Sequence, residues 1–167
     1  SVVSGHHTGT YLGFDSIASD PQLLSIISQD MGEWVFGLSQ HHRIDGLLVP
    51  DSDARVLAEG MATIINPRMP VKVVYAPFNP ETGKIGTEIP EDAIGKGNNF
   101  VVINDVTARG SCVNKLGTIV NDHGGHVVGM MVCHDQPRDR PAAQPGMRQR
   151  RLPRRARVRP VEPAIDE

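Results

Sequence analysis

The stretch best equipped for chemistry is Phe100-Val-Val-Ile-Asn-Asp-Val-Thr-Ala-Arg-Gly-Ser111. An apolar run ends in Asn104 and Asp105, and then come Thr107, Ala108, Gly110 and Ser111, small or hydroxylated residues interrupted by Arg109. In an open parallel sheet, ligands bind beyond the carboxyl ends of the strands. A buried strand ending in a carboxamide and a carboxylate sets at that edge two groups suited to the vicinal hydroxyls of a sugar. The carboxylate of Asp105 also suits a share in holding Mg²⁺. Residues Thr107–Ser111 lead into a helix N-terminus, where free backbone N–H groups and the helix dipole favour a phosphate. Gly110 lets the backbone approach closely, and Thr107 and Ser111 add hydroxyl donors. An ordinary strand-to-helix turn with Ser111 as its N-cap is the other reading of the same residues.

The elements that must position this segment are legible in the spacing of apolar residues. Asp20-Pro21 reads as an N-cap followed by proline at the first helical position. From there Leu23, Leu24, Ile27, Met31, Trp34 and Val35 recur at helical intervals on one face, to a helix end near Gly37. Ile44–Val49 reads as a short buried strand closed by Pro50, and Ala54–Ile65 as a helix closed by Asn66-Pro67. Val71–Ala76 is a β-branched strand, Phe100–Ile103 a buried strand, Ser111–His123 a helix stopped by Gly124-Gly125, and His126–Cys133 a strand. A further short strand is expected at Thr10–Asp15. Alternation of short apolar strands with helices predicts an α/β fold, an open parallel sheet flanked by helices. Pro77–Asn99 shows little periodicity, and a connection of that length is usually functional or disordered.

Composition narrows the function classes. The chain has 167 residues with 39% hydrophobic and 22% charged, an ordinary balance for one globular domain. No apolar run reaches the roughly 18–20 residues that span a bilayer, so no membrane partner is expected. Residues 1–136 carry 8 basic and 15 acidic side chains. An acidic body argues against a nucleic-acid partner, which requires a basic face. Cys112 and Cys133 are too few for a disulfide framework and read as buried free thiols, which suits a cytoplasmic protein. The start without Met suggests a processed or trimmed N-terminus.

Residues 137–167 form a distinct segment with nine arginines, four acids and no lysine. Rich in Arg and Pro and poor in large apolar residues, it is expected to be a disordered basic tail. Its abrupt change of composition suggests that it is not native to the fold, as a shifted reading frame would produce; a basic arm for an acidic partner is the other reading. The expected organisation is therefore a domain at 1–136 and a tail at 137–167.

Residues 100–111 resemble the ribose-phosphate signature of the type I phosphoribosyltransferases. Asp105, Ala108, Arg109 and Gly110 agree with that pattern, while Asn104 stands where its first acid is expected. Ser4-Gly5-His6-His7-Thr8-Gly9-Thr10-Tyr11, Asp15 and Ser19–Leu24 resemble the opening of orotate phosphoribosyltransferases. Ile44–Pro50 resembles the strand that leads into their pyrophosphate loop, and Gly124–Gly129 the strand after the signature.

The resemblance implies transfer of a phosphoribosyl group from phosphoribosyl pyrophosphate to a nucleobase, orotate or a related base, with Mg²⁺ as cofactor and a homodimeric assembly. It implies that Asp105 and Asn104 hold the ribose hydroxyls and that Thr107–Ser111 cradle the 5′-phosphate. Asp51, Ser52, Asp53 and Arg55 would form the pyrophosphate loop, Lys84 would close over the departing pyrophosphate, and Tyr11 would contact the base. A non-catalytic phosphoribosyl- or nucleotide-binding module is the alternative, because Asp51-Ser52-Asp53 replaces a glycine-bearing loop. A third reading is a truncated product, since the family continues with further sheet and helix. His6-His7 and His41-His42 read as surface pairs, His123 and His126 straddle a helix stop and need not converge on a metal, and the surroundings of Lys96 lack the pattern of a phosphate-binding loop of the Walker type.

Overall fold

A computed structural model describes residues 18–107 and 111–135, giving the backbone alone for 105–107 and 133–135. The expected strand at Thr10–Asp15, the resembling segment around Tyr11, the turn residues Ala108, Arg109 and Gly110, and the tail at 137–167 lie outside the described residues. Among those described, helix α1 spans Pro21–Leu38, strand β1 Gly46–Pro50, α2 Ala54–Ile65, β2 Lys72–Ala76, β3 Phe78–Asn79, β4 Lys84–Ile85, β5 Asn99–Thr107, α3 Ser111–Asp122 and β6 His126–Asp135.

The main sheet has strand order β2-β1-β5-β6, and every pairing in it is parallel. This is the expected open parallel sheet flanked by helices. All five residues of β1 are buried, which is why its sequence is a continuous apolar run rather than an alternating one.

Alternation along the strands separates two cores. On one face Leu47, Val49, Val101 and Ile103 pack with Met31 and Val35 of α1 and with Leu57, Met61 and Ile65 of α2. On the other, Leu48, Val74, Phe100 and Val102 pack with Val113, Leu116, Ile119 and Val120 of α3. Trp34 is half-buried against the first core. It crosses Gly129 of β6 so closely that a Cβ there would lie 2.9 Å from its ring.

Caps fix the ends of the outer helices. The Asp20 carboxylate accepts from the N–H groups of Gln22 and Leu23 at 3.0 and 3.1 Å, with Pro21 at the first helical turn as the sequence implied. Gly124 takes φ +77° to end α3, the left-handed stop that glycine adopts at little cost.

The segment 77–99 differs from a structureless loop. β3 and β4 pair as a small antiparallel hairpin, whose turn is shaped by Asn79 accepting from the N–H groups of Glu81 and Thr82. Ile85 and Ile94 are buried in the α3-side core and anchor the segment there. Cys112, expected to be fully buried, is half-buried, because it lies in the first turn of α3 near the open end of the sheet. The side chain of Cys133 is outside the described set.

Helices α1 and α2 approach closely where Gly60 faces Ser28, so that a Cβ on Gly60 would sit 2.5 Å from the Ser28 hydroxyl oxygen. Ser28 is 2% exposed, and its hydroxyl has no hydrogen-bond partner among the described residues. A buried unsatisfied hydroxyl costs about 1–3 kcal/mol. Ser28→Ala is therefore expected to raise stability by roughly 1 kcal/mol, read as a higher denaturation midpoint with an unchanged slope. A lower midpoint would show that the hydroxyl is satisfied in solution.

Candidate functional site

The site is built by topology. From β1 the chain passes through α2 to β2 on one side of β1, while β5 lies on its other side and leads into α3. Helix α2 covers one face of the sheet and α3 the opposite face. The adjacent strands β1 and β5 are therefore followed by helices on opposite faces of the sheet. A crevice at such a switch point is where open parallel sheets bind ligands. Residues 51–55 follow β1 and Asn104–Thr107 end β5, so these segments, distant in sequence, stem from the same edge of the sheet because β1 and β5 are parallel neighbours.

In β5, Asn104 pairs in register with Val132 of β6. It is 4% exposed and already has a polar or electrostatic partner. Asp105 is the next residue in the strand, and Thr107 ends it. Ser111 opens α3 and is exposed, so the N–H groups of the first helical turn, which have no partner within the helix itself, lie at the same edge.

The loop after β1 is tied to the end of β2 by the Asp51 N–H, which donates to the Ala76 carbonyl at 2.8 Å. Ser52 is half-buried, and its hydroxyl accepts from the Ala54 N–H at 3.3 Å at the start of α2. Asp53 is exposed and partnered. Arg55, one turn further, is held on both sides. Nη1 donates to Asp51 Oδ1 at 3.1 Å and Nε to Glu59 Oε1 at 3.0 Å. Its guanidinium lies 4.5 Å over the ring of Tyr75, whose hydroxyl donates to Glu59 Oε1 at 3.3 Å. The bond to Glu59, followed by that to Asp51, raises the Arg55 pKa above its ordinary value. Burial, then the negative charge of Glu59, raises that of Tyr75, which keeps the phenol protonated and a donor.

The sequence singled out Arg55 but missed Glu59 and Tyr75. Glu59 was legible as the residue one helical turn after Arg55. Tyr75 was not, since only the β1–β2 pairing sets Val49 beside it.

Lys84 is exposed on β4, paired with Asn79. The hairpin follows the carboxyl end of β2 after Pro77, so it stems from the same edge of the sheet as the loop at 51–55. No cluster of three or more His, Cys, Asp and Glu side chains suited to a metal occurs among the described residues. His123 is turned back to the Ile119 carbonyl, 2.8 Å from its Nδ1. No helix among them is long and apolar enough to cross a membrane. A groove of about 460 Å³ lies elsewhere, between α3 and the first half of β6, lined by Asn114, Thr118, Asn121 and Val127 among others. With no cationic side chain apart from what His126 can supply, it is poorly suited to a phosphorylated ligand.

Comparison with known proteins agrees with this geometry. No protein-family model matches the chain. An adenine phosphoribosyltransferase of Thermotoga sp. is 33% identical over 86 residues, 51% of this chain and 51% of that protein. An orotate phosphoribosyltransferase of Caldanaerobacter subterraneus is 30% identical over 135 residues, 80% of this chain and 64% of that protein. The chain is thus similar in sequence to phosphoribosyltransferases of both the adenine and the orotate type. It spans about half the length of the adenine-type relatives from Thermotoga. The phosphoribosyltransferase fold is also that of the Saccharomyces cerevisiae adenine phosphoribosyltransferase solved with adenine and an imino-altritol bisphosphate. That structure superposes with a TM-score of 0.63 at 16% identity, covering 76% of this chain and 77% of the other.

Proposed function

We propose that the protein transfers a phosphoribosyl group from phosphoribosyl pyrophosphate to the ring nitrogen of a nucleobase, releasing pyrophosphate. The observation that carries this reading is the switch point between β1 and β5, where the strand that leads into the loop at 51–55 lies beside the strand that carries Asn104 and Asp105. Asp105 holds the ribose hydroxyls. Asn104, buried and already partnered, supports it from within the sheet. Thr107, Ala108, Arg109, Gly110 and Ser111 cradle the 5′-phosphate, using the free N–H groups at the start of α3. Catalysis here consists of positioning the two reactants and stabilising the charge that develops as the bond to pyrophosphate lengthens and the ribose centre gains oxocarbenium character.

The charges of the pyrophosphate loop require a cation. Asp51, Asp53 and Glu59 outnumber Arg55, and carboxylates facing a diphosphate repel it. Oxygen donors of this kind suit Mg²⁺, which proteins hold through one or two carboxylates together with substrate phosphates. Asp51 and Asp105 would share it, and the ion would supply charge neutralisation on the leaving group. Lys84, on the hairpin, closes over the pyrophosphate, and Tyr11 contacts the base. A homodimer acting in the cytoplasm completes the proposal.

For the base, the likeness of residues 4–24 favours orotate, while the relatives include both adenine- and orotate-specific enzymes. Incubating the protein with phosphoribosyl pyrophosphate, Mg²⁺ and either adenine or orotate, and resolving the nucleotide formed, decides both activity and base. We expect one of the two monophosphates. One observation favours a second reading, a phosphoribosyl-binding module without turnover: Arg55, the cation of the pyrophosphate loop, is already paired with two carboxylates. Tight binding of phosphoribosyl pyrophosphate with no nucleotide from either base would establish that reading.

A further inference from the structure

We propose that Tyr75 and Glu59 are positioning residues that hold Arg55 as the diphosphate-facing cation, with Asp51 as the partner exchanged when substrate arrives. The inference rests on the reading above, in which the loop at 51–55 faces the pyrophosphate of phosphoribosyl pyrophosphate.

The argument begins in β2. Alternation turns Val74 and Ala76 toward the α3-side core, while Val73 and Tyr75 pack against the core beneath α1 and α2. Tyr75 is thereby fixed from below, and its ring forms a platform under the first turn of α2. The Arg55 guanidinium lies over that ring at 4.5 Å. A planar guanidinium stacks on an aromatic face where an ammonium would be held with less orientational control.

The two carboxylates are not equivalent. Glu59 Oε1 receives both Arg55 Nε and the Tyr75 hydroxyl, so the arginine, the ring and the acid form a closed triangle. Asp51 bonds through its side chain to Arg55 alone among the described residues. It belongs to the loop itself and, although both acidic side chains are about half exposed, it lacks the second hydrogen bond that Glu59 receives from Tyr75. An exposed ion pair of this kind contributes little and is readily exchanged. A diphosphate entering with Mg²⁺ can take the Nη1 hydrogen bond from Asp51 and leave that carboxylate to the cation. Nη2, which makes no hydrogen bond among the described residues, adds a second donor. Exchange turns a self-neutralised arginine into a fork for phosphate oxygens without moving it from its platform.

The test compares phosphoribosyl pyrophosphate with ribose 5-phosphate, which lacks the diphosphate, as ligands for the full chain in Mg²⁺. Dissociation constants are measured for wild type, Arg55→Ala, Tyr75→Leu, Tyr75→Phe and Glu59→Ala. We expect Arg55→Ala, Tyr75→Leu and Glu59→Ala to bind phosphoribosyl pyrophosphate about 5- to 20-fold more weakly, the span of a partly desolvated cation–π and ion-pair arrangement. Ribose 5-phosphate affinity stays within about twofold in all of them, and Tyr75→Phe, which keeps the platform, stays within about threefold for both ligands.

Tyr75→Leu with unchanged affinity for phosphoribosyl pyrophosphate overturns the proposal. So does equal weakening for both ligands, which marks a merely structural residue, or an Arg55→Ala protein that binds like wild type. Wild type that binds neither ligand overturns instead the functional reading on which the proposal rests.

Discussion

Asp105→Ala is expected to lower phosphoribosyl pyrophosphate affinity by about 10- to 150-fold, the loss that follows when a charge-assisted hydrogen bond worth about 1.5–3 kcal/mol disappears. Turnover is expected to fall at least as far, because in the proposed reaction the same carboxylate orients the ribose as its bond to pyrophosphate breaks. The fold survives. Asp105 occupies the carboxyl-terminal part of β5, beyond the fully buried Val101–Ile103 that carry the core packing of that strand. The melting midpoint without ligand therefore stays close to that of wild type. Isothermal titration with phosphoribosyl pyrophosphate, beside a melt of each protein, separates the two effects. An Asp105→Ala protein that keeps wild-type affinity removes this residue from the site.

Gly46→Ala is expected to destabilise by about 3 kcal/mol or more, at or above the usual upper limit for overpacking a core. A Cβ at this position would lie 2.5 Å from Cε1 of Phe100, 2.8 Å from Cζ and 2.9 Å from the Lys72 carbonyl oxygen. Gly46 pairs with both Phe100 and Lys72 across the ladders, so the new methyl is confined between a ring and a backbone group. Phe100 is fully buried and cannot swing into solvent. For a domain of this size the melting midpoint drops by roughly 10 °C. Phe100→Leu in the same chain makes room for the methyl. The double variant is then expected to be more stable than the sum of the single changes predicts, a coupling that a double-mutant cycle measures. Additive effects would show that the clash is relieved elsewhere.

Much of this architecture was legible because the chain is locally consistent. The expected helix at 54–65 has the observed bounds, and the strands differ from the expected ones mainly at their ends. The longest difference is β5, which extends past Ile103 to Thr107. Its apolar signal stops at Ile103, but the backbone ladder to β6 continues through Asn104, Val106 and Thr107. Hydrogen bonding, unlike burial, leaves no mark on side-chain type.

The hairpin at 78–85 was missed for a related reason: two-residue strands are too short to show a period. Its turn chemistry was nonetheless present in Asn79-Pro80-Glu81-Thr82-Gly83, where Asn79 folds the turn and Gly83 adopts φ +64°.

The site divides in the same way. Asn104, Asp105 and the small residues up to Ser111 are contiguous, so their chemistry could be read directly from order and type. The setting of Arg55 could not. Asp51 and Glu59 lie one helical turn to either side of it, but Tyr75 reaches it only through the pairing of β2 with β1. Nor did order alone reveal that Asn104 is buried, since burial there depends on the strand on its far side, β6. Tertiary contacts make Arg55, in the first turn of α2, a stacked and doubly bonded side chain.

Thermal unfolding of the wild-type chain with and without phosphoribosyl pyrophosphate, each in the presence and absence of Mg²⁺, tests most directly whether the crevice between β1 and β5 is a phosphoribosyl site. A ligand that binds only the folded state stabilises it by about 2.7 kcal/mol at a hundredfold excess over its dissociation constant. We expect a rise of several degrees with phosphoribosyl pyrophosphate and Mg²⁺ together, and a much smaller one without the metal. A cooperative melt that stays at the same temperature at millimolar phosphoribosyl pyrophosphate and Mg²⁺ would contradict the account.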